Sequence, residues 1–158
     1  MQKKITTFLT FDGRAEEAVD FYTSVFDGSK VLGKSHYSEA GPGPAGSMMS
    51  ATFELAGQEF FALNGGPSFT FSQGISLFVD CETQDEVDEL WKALSEGGEK
   101  GPCGWLTDKF GVSWQIIPRT LGELLNDEDP VKAQRVMNAM LQMSKIEIEG
   151  LREAYESA

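Results

Sequence analysis

The chain has 158 residues, of which 41% are hydrophobic and 11% aromatic, and it carries 13 basic against 25 acidic side chains. This apolar content suffices for a packed core and excludes a disordered chain. The net charge of −12 argues against nucleic acid or an anionic membrane surface as a partner, because both are polyanions.

Cysteine content and apolar run length bear on location. Cys81 and Cys103 are too few for a disulfide framework and suit a reducing compartment. No apolar run approaches the roughly 20 residues of a membrane span. The first residues lead directly into a strand pattern at Ile5 and lack the apolar segment of a secretory signal. The sequence therefore predicts a cytoplasmic protein with no membrane partner.

The first half of the chain predicts one strand, one helix and three further strands. These elements are, in order, Ile5–Phe11, Ala15–Phe26, Lys30–Tyr37, Ser47–Ala56 and Glu59–Asn64. Gly57-Gln58 indicates a tight hairpin between the last two strands. The glycine- and proline-rich stretch Gly41 to Gly46 is a loop, interpreted as either a connector or a flexible lid.

The second half repeats this opening. Ile75 to Cys81 predicts a strand, and Thr83 with Glu86 predicts a capping box at the start of a helix. Shorter strand-like runs follow, ending with Val112 to Ile117. An offset of 69 positions aligns Thr7 of the first half with Ser76 of the second half. This internal repeat predicts a duplicated unit.

The repeat favours an α+β fold of two βαβββ modules whose mixed sheets form a cleft, followed by C-terminal helices. We expect residues 1–68 and 69–120 to form the modules and 121–158 the helical extension, within one compact domain. Asp129 and Pro130 predict the start of a C-terminal helix. An apolar stripe, the C-terminal stripe, is expected to pack on the body of the protein or on a second copy; its residues are Val136, Met137, Met140, Leu141, Met143 and Ile148.

The repeated order of strand, helix and three strands, with Phe21-Tyr22 in the first helix and Asp108 to Gln115 near the end, resembles the vicinal oxygen chelate superfamily, which includes glyoxalase I, bleomycin-resistance proteins and extradiol dioxygenases. Four segments, Phe11 to Ala18, Ala62 to Pro67, Cys103 to Asp108 and Lys109 to Gln115, resemble more closely its PhnB-like branch, often labelled 3-demethylubiquinone-9 3-methyltransferase. The resemblance implies the duplicated fold and a homodimer. The methyltransferase label has no support in the residues, because no glycine-rich turn between a strand and a helix is present for S-adenosylmethionine.

The resemblance also implies four inward-facing positions that hold a divalent metal in superfamily enzymes. Alignment to this pattern gives Thr7, Asn64, Ser76 and Gln115. None is a histidine or a carboxylate, so we expect no tightly bound metal and no cofactor. The four neutral groups are interpreted either as contacts to an organic ligand or as a polar core that satisfies itself.

Three further residues are candidates for the site. His36 is the single histidine and a candidate for proton transfer if the neighbouring loop covers the cleft. Tyr37 and Trp105 are candidates to line its mouth.

Two functions remain open at this point. The first is a metal-independent binder of a small organic molecule. The alternative is a metal-dependent enzyme of the glyoxalase, isomerase or dioxygenase type, which acts by polarising chelated oxygens. Whether the protein is an enzyme is left undecided by the sequence.

Overall fold

The computed structural model describes residues 4–157, and the chain divides into two compact units, Met1–Thr70 and Phe71–Ala158. Each unit contains one four-stranded mixed sheet, and the elements of both occur in the order strand, helix, three strands. The predicted α+β class with two βαβββ modules is confirmed.

The first unit consists of β1 (Thr7–Phe11), α1 (Ala15–Val25), β2 (Lys30–His36), β3 (Met48–Leu55) and β4 (Gln58–Asn64). The strand order is β1-β4-β3-β2, with β1 parallel to β4 and the other neighbours antiparallel. The helix packs on one face of the sheet because its apolar residues recur at helical spacing. Its buried residues are Ala15, Ala18, Val19 and Tyr22.

The hairpin between β3 and β4 turns at Ala56 and Gly57, one residue earlier than the sequence predicted. Leu55 pairs with Gln58, so two residues remain for the turn. Their φ angles are 47° and 88°. Two-residue hairpins favour positive φ because it matches the twist of the strands, and glycine adopts this conformation without cost. The alanine at position 56 adopts it with strain.

The second unit repeats the arrangement. Its module consists of β5 (Leu77–Cys81), α2 (Gln84–Ser95), β6 (Glu99–Lys100), β7 (Trp105–Thr107) and β8 (Ser113–Pro118). The strand order is β5-β8-β7-β6, with β5 parallel to β8, as in the first unit. The predicted cap on α2 is confirmed, because Thr83 Oγ1 accepts from the Glu86 backbone N–H at 3.2 Å.

Three helices follow in the second unit: α3 (Arg119–Leu125), α4 (Pro130–Leu141) and α5 (Ile148–Glu156). Asp129 caps α4 as predicted, its Oδ1 accepting from the Val131 N–H at 2.9 Å. The helices bury an apolar cluster against the end of β8. Its members are Ile117, Leu121, Val136, Ile146 and Leu151. Val136, Met140 and Met143 of the C-terminal stripe therefore pack on the body of their own unit, whereas Leu141 is 55% exposed.

The strands of the two units correspond at an offset of 70 positions, and the predicted offset of 69 is wrong for them. Thr7 and Leu77 each begin the first strand of a parallel pair. Thr6, not Thr7, is therefore the counterpart of Ser76. The error arose from the helices, which do begin 69 positions apart because one residue fewer connects β5 to α2. In a strand, such a shift moves a side chain to the opposite face.

Candidate functional site

The face of the second sheet that lies opposite α2 carries the polar residues of the candidate site. Along β8, Trp114 and Ile116 are buried on the helix side, at 2% and 0% exposure. Because side chains alternate along a strand, Ser113 and Gln115 lie on the other face. Gln115 is therefore on the face that α2 does not cover, which accounts for an amide in a strand whose neighbouring residues are apolar.

Gln115 lies between two aromatic residues of the neighbouring strands. It pairs directly with Phe78 on β5 and with Trp105 on β7. Its Nε2 donates to Ser76 Oγ at 3.0 Å, which brings two of the predicted site residues into contact. Within residues 4–157, no hydrogen bond reaches its Oε1. We call Phe78, Gln115 and Trp105 the amide row.

A cavity of about 360 Å³ lies in the same unit beside the amide row. Trp105 belongs to both, and Ser113 lies two residues from Gln115 on the same face of β8. The remaining polar lining consists of Gln73, Glu99, Lys100 and Thr107. This volume is at the lower end of the range found for small-molecule sites. The cavity can hold a ligand of one or two rings.

Asp108 stabilises the turn that leads into β8, a role that was not predicted from the sequence. It is 2% exposed. Its carboxylate accepts from the backbone N–H groups of Phe110 and Val112, at 2.8 and 3.0 Å, and from Trp114 Nε1 at 2.8 Å. These three bonds fix the turn into β8 and thereby the positions of the residues that face the cavity. The spacing of an aspartate before a glycine turn was the available signal.

Asn64 and Tyr37 come together in the first unit, but in contacts within that unit. Asn64 Oδ1 accepts from the Ala15 N–H at 2.8 Å, and its Nδ2 donates to the Met48 carbonyl at 3.0 Å. The amide thereby caps α1 from a different element. Tyr37 Oη donates to the Asn64 carbonyl at 2.9 Å. Both side chains serve the packing of this unit.

The glycine- and proline-rich loop folds around the ring of Tyr37. The Tyr37 N–H donates to the Ser47 carbonyl at 2.9 Å, and the Gly46 N–H donates back to the Tyr37 carbonyl at 3.0 Å. A Cβ atom at Gly43 would overlap the tyrosine ring, so glycine is required there. Of the two interpretations of this loop, these contacts favour the connector.

Thr7 and His36 lie away from these contacts. Thr7 is on the same side of β1 as the buried Leu9 and Phe11, which is the side covered by α1. His36 is exposed at the end of β2, where it pairs with Met48. Among the described residues, neither has a side-chain partner that would activate it as an acid, a base or a nucleophile.

The corresponding face of the first unit has a different chemistry. Phe61 pairs with Phe8 there, as Gln115 pairs with Phe78 in the second unit. The ring centroids of Phe8 and Phe61 are 5.9 Å apart. An aromatic hydrocarbon thus replaces the amide at the equivalent position.

The residues do not fit the divalent metal that the superfamily implies. With the observed register, the equivalent positions carry Thr6, Phe61, Ser76 and Gln115. A phenyl ring offers no ligand atom, and uncharged hydroxyl and amide groups compensate little of a divalent charge. Among residues 4–157, no group of three or more His, Cys, Asp or Glu side chains is placed to hold a metal.

The duplicated βαβββ architecture is that of the vicinal oxygen chelate fold. The chain belongs to the PhnB-like family within it: residues 3–117 match the family described as 3-demethylubiquinone-9 3-methyltransferase. A PhnB protein from Bacillus cereus is 44% identical, with a TM-score of 0.68, and the match covers 73% of this chain and 99% of that chain. No curated protein matches the sequence significantly.

Two more distant structures share the fold alone. Protein PA1353 from Pseudomonas aeruginosa is 23% identical, with a TM-score of 0.61 over 74% of this chain and 98% of that chain. The fosfomycin resistance protein FosX from Listeria monocytogenes, solved with Mn(II) and sulfate, is 16% identical, with a TM-score of 0.53 over 72% of this chain and 89% of that chain.

The family description implies methyl transfer, and the strand-to-helix turns do not fit its cofactor. S-adenosylmethionine sites of the common type need a glycine-rich turn between a strand and a helix. The turn before α1 contains one glycine, Gly13, and the turn before α2 contains none.

The helices among residues 4–157 are all too short or too polar to cross a bilayer.

Proposed function

We propose that the second unit binds a small organic molecule in the cavity beside Trp105, through uncharged polar groups and without a tightly bound metal. The observation that carries this proposal is the 360 Å³ cavity next to an amide whose carbonyl oxygen has no partner within the described residues. Ser76, Gln115 and Trp105 remain candidate ligand contacts. Asn64 and Tyr37 are engaged within the first unit, and Thr7 lies on the helix-covered face.

A fragment screen by ligand-observed NMR tests this proposal. We expect bound fragments to be lost or weakened in Trp105→Leu and to persist in Phe8→Leu, a matched change of an aromatic side chain in the other unit. Fragments that bind both variants as well as the unchanged protein would place binding elsewhere and overturn the proposal.

Metal content is a separate measurement. We expect elemental analysis of freshly purified protein, and titration with Mn²⁺, Ni²⁺, Zn²⁺ and Fe²⁺, to give no stoichiometric binding, because the equivalent positions lack charged donors. Stoichiometric metal that is lost in Gln115→Ala would overturn this part and favour the metal-dependent enzyme instead.

We propose, further, that the protein forms a homodimer. Support comes from large apolar side chains exposed at equivalent positions of the two units: Ile5 is 87% exposed and Ile75 is 80% exposed. Exposed apolar groups of this size favour association. Light scattering over a dilution series is expected to give twice the 17.3 kDa chain mass. A mass of one chain at every concentration would contradict the proposal.

A further inference from the structure

We infer that the ligand is a flat aromatic molecule with an N–H or O–H donor, held across the amide row of Phe78, Gln115 and Trp105. This inference rests on the proposed function and adds the chemical class of the ligand. It follows from the order of the three side chains and from the hydrogen bond that orients the middle one.

The two rings flank the amide on adjacent strands. Phe78 and Trp105 are the direct neighbours of Gln115 on its two sides. Neighbouring strands are about 4.8 Å apart, so the row spans roughly 10 Å. That length matches a fused two-ring system. Phe78 is 60% exposed, so its ring is accessible for contact.

The hydrogen bond to Ser76 selects what the amide presents to a ligand. Nε2 of Gln115 donates to Ser76 Oγ at 3.0 Å, which orients the amide and leaves Oε1 as the acceptor. A ligand with a donor satisfies this oxygen, whereas a ligand with only acceptors leaves it unpaired. Because one N–H of Nε2 also remains free within the described residues, the row favours a ligand that carries a donor, with or without an acceptor.

The charges around the row do not favour an anion. Glu99 and Lys100 both line the adjacent cavity, and their charges cancel. The chain as a whole carries −12, which repels anionic ligands at long range. Ring stacking and one neutral hydrogen bond remain as the recognition elements.

Three probes separate these elements. Indole has a flat ring and an N–H donor, 1-methylindole has the ring without the donor, and cyclohexanol has a donor without a flat ring. Titrations are followed through the Trp105 Nε1–H and Gln115 side-chain amide signals in ¹H–¹⁵N NMR spectra. We expect indole to bind roughly three- to tenfold more tightly than 1-methylindole, and cyclohexanol not to shift the signals of the row.

Substitutions in the amide row test whether the preference for indole over 1-methylindole depends on these residues. Gln115→Leu is expected to make indole and 1-methylindole bind equally. Ser76→Ala, which retains the amide but frees it to rotate, is expected to reduce the preference for indole without affecting the fold. Trp105→Leu and Phe78→Leu should each weaken indole binding several-fold, while Phe8→Leu, the equivalent position of the first unit, should not.

Failure of this inference is distinguishable from failure of the proposed function. If indole and 1-methylindole bind the unchanged protein equally, or neither binds while other fragments occupy the cavity, the inference is overturned and the cavity remains a ligand site. If no fragment of the wider screen perturbs the second unit, the proposed function is overturned and this inference with it.

Discussion

Phe61 and Gln115 occupy the same position in the two sheets, and each pairs with a phenylalanine on the neighbouring parallel strand, Phe8 and Phe78. The repeat has thus kept the backbone pairing and one aromatic partner while the other residue differs in polarity. A ring at position 61 cannot hydrogen-bond or coordinate a metal. The two units therefore offer unlike chemistry on equivalent faces, and the amide lies in the second.

Asp108→Ala is expected to destabilise the protein by about 3 kcal/mol or more. The substitution leaves two backbone N–H groups and the Trp114 indole N–H without an acceptor in a buried position. Asp108→Asn retains one acceptor oxygen and should cost less. Urea unfolding measures both changes.

The exposed Asp27 provides the control for this comparison, because Asp27→Ala removes a carboxylate from the surface. We expect its free energy of unfolding to stay within about 0.5 kcal/mol of the unchanged protein. Equal effects of the changes at positions 27 and 108 would contradict the role assigned to the buried carboxylate.

The sequence predicted the elements and their duplication well, because these depend on local signals. Alternating apolar residues gave the strands, and Thr83 and Asp129 marked the helix starts that the structure shows. The C-terminal stripe could not be assigned to its partner from sequence, since the side chains it contacts, such as Ile117, belong to a distant segment.

The face of the sheet on which each strand residue lies was predicted less well, because a register error of one residue moves a side chain to the opposite face. The helices gave an offset of 69, whereas Ile5-Thr6-Thr7-Phe8 matches Ile75-Ser76-Leu77-Phe78 at 70. This match was available in the sequence and would have excluded Thr7 from the open face. The role of Asn64 was not available, because its bond to Ala15 joins residues 49 positions apart.

Asn64→Ala is expected to lower the free energy of unfolding by about 1–2 kcal/mol. It removes the acceptor for the first N–H of α1 and the donor to the Met48 carbonyl. Asn64→Asp keeps the acceptor and places a negative charge near the helix N-terminus, so it should lose less. Thermal unfolding provides the measurement.

Ligand binding discriminates this structural role from a role in the site. Fragments that occupy the cavity beside Trp105 should bind Asn64→Ala with unchanged affinity once the variant is folded. A loss of binding at a temperature where the variant is fully folded would return Asn64 to the candidate site.

Ala56→Asn is expected to stabilise the protein by about 0.5–1 kcal/mol. Ala56 has a φ of 47°, which asparagine adopts more readily than alanine, and Asn-Gly is the favoured pair for this turn. Ala56→Val is the control substitution and is expected to destabilise the protein, because a β-branched side chain is least suited to positive φ. Urea unfolding of the three proteins should rank asparagine above alanine and alanine above valine; any other order would contradict the turn.

Cys81 is expected to resist alkylation in the folded protein, whereas Cys103 reacts. Burial and the neighbouring Glu86 raise the pKa of the Cys81 thiol from 9.0 to about 12. At pH 8 only about one in ten thousand of these thiols is ionised, and the thiolate is the reactive form. Cys103 is only half-buried. Iodoacetamide labelling at pH 8, read by mass spectrometry, should modify Cys103 first and both residues in urea.

The same raised pKa makes a prediction for stability at alkaline pH. The thiol of the unfolded chain ionises above pH 9, while that of the folded protein stays neutral until about pH 12. The contribution of Cys81 is thus complete below pH 9 and is lost as pH rises toward 12, with a slope of up to about 1.4 kcal/mol per pH unit. Cys81→Ala should lose stability less steeply than the unchanged protein between pH 9 and 10.5 in urea unfolding. Parallel curves for the two proteins would show that Cys81 ionises as easily in the folded as in the unfolded chain.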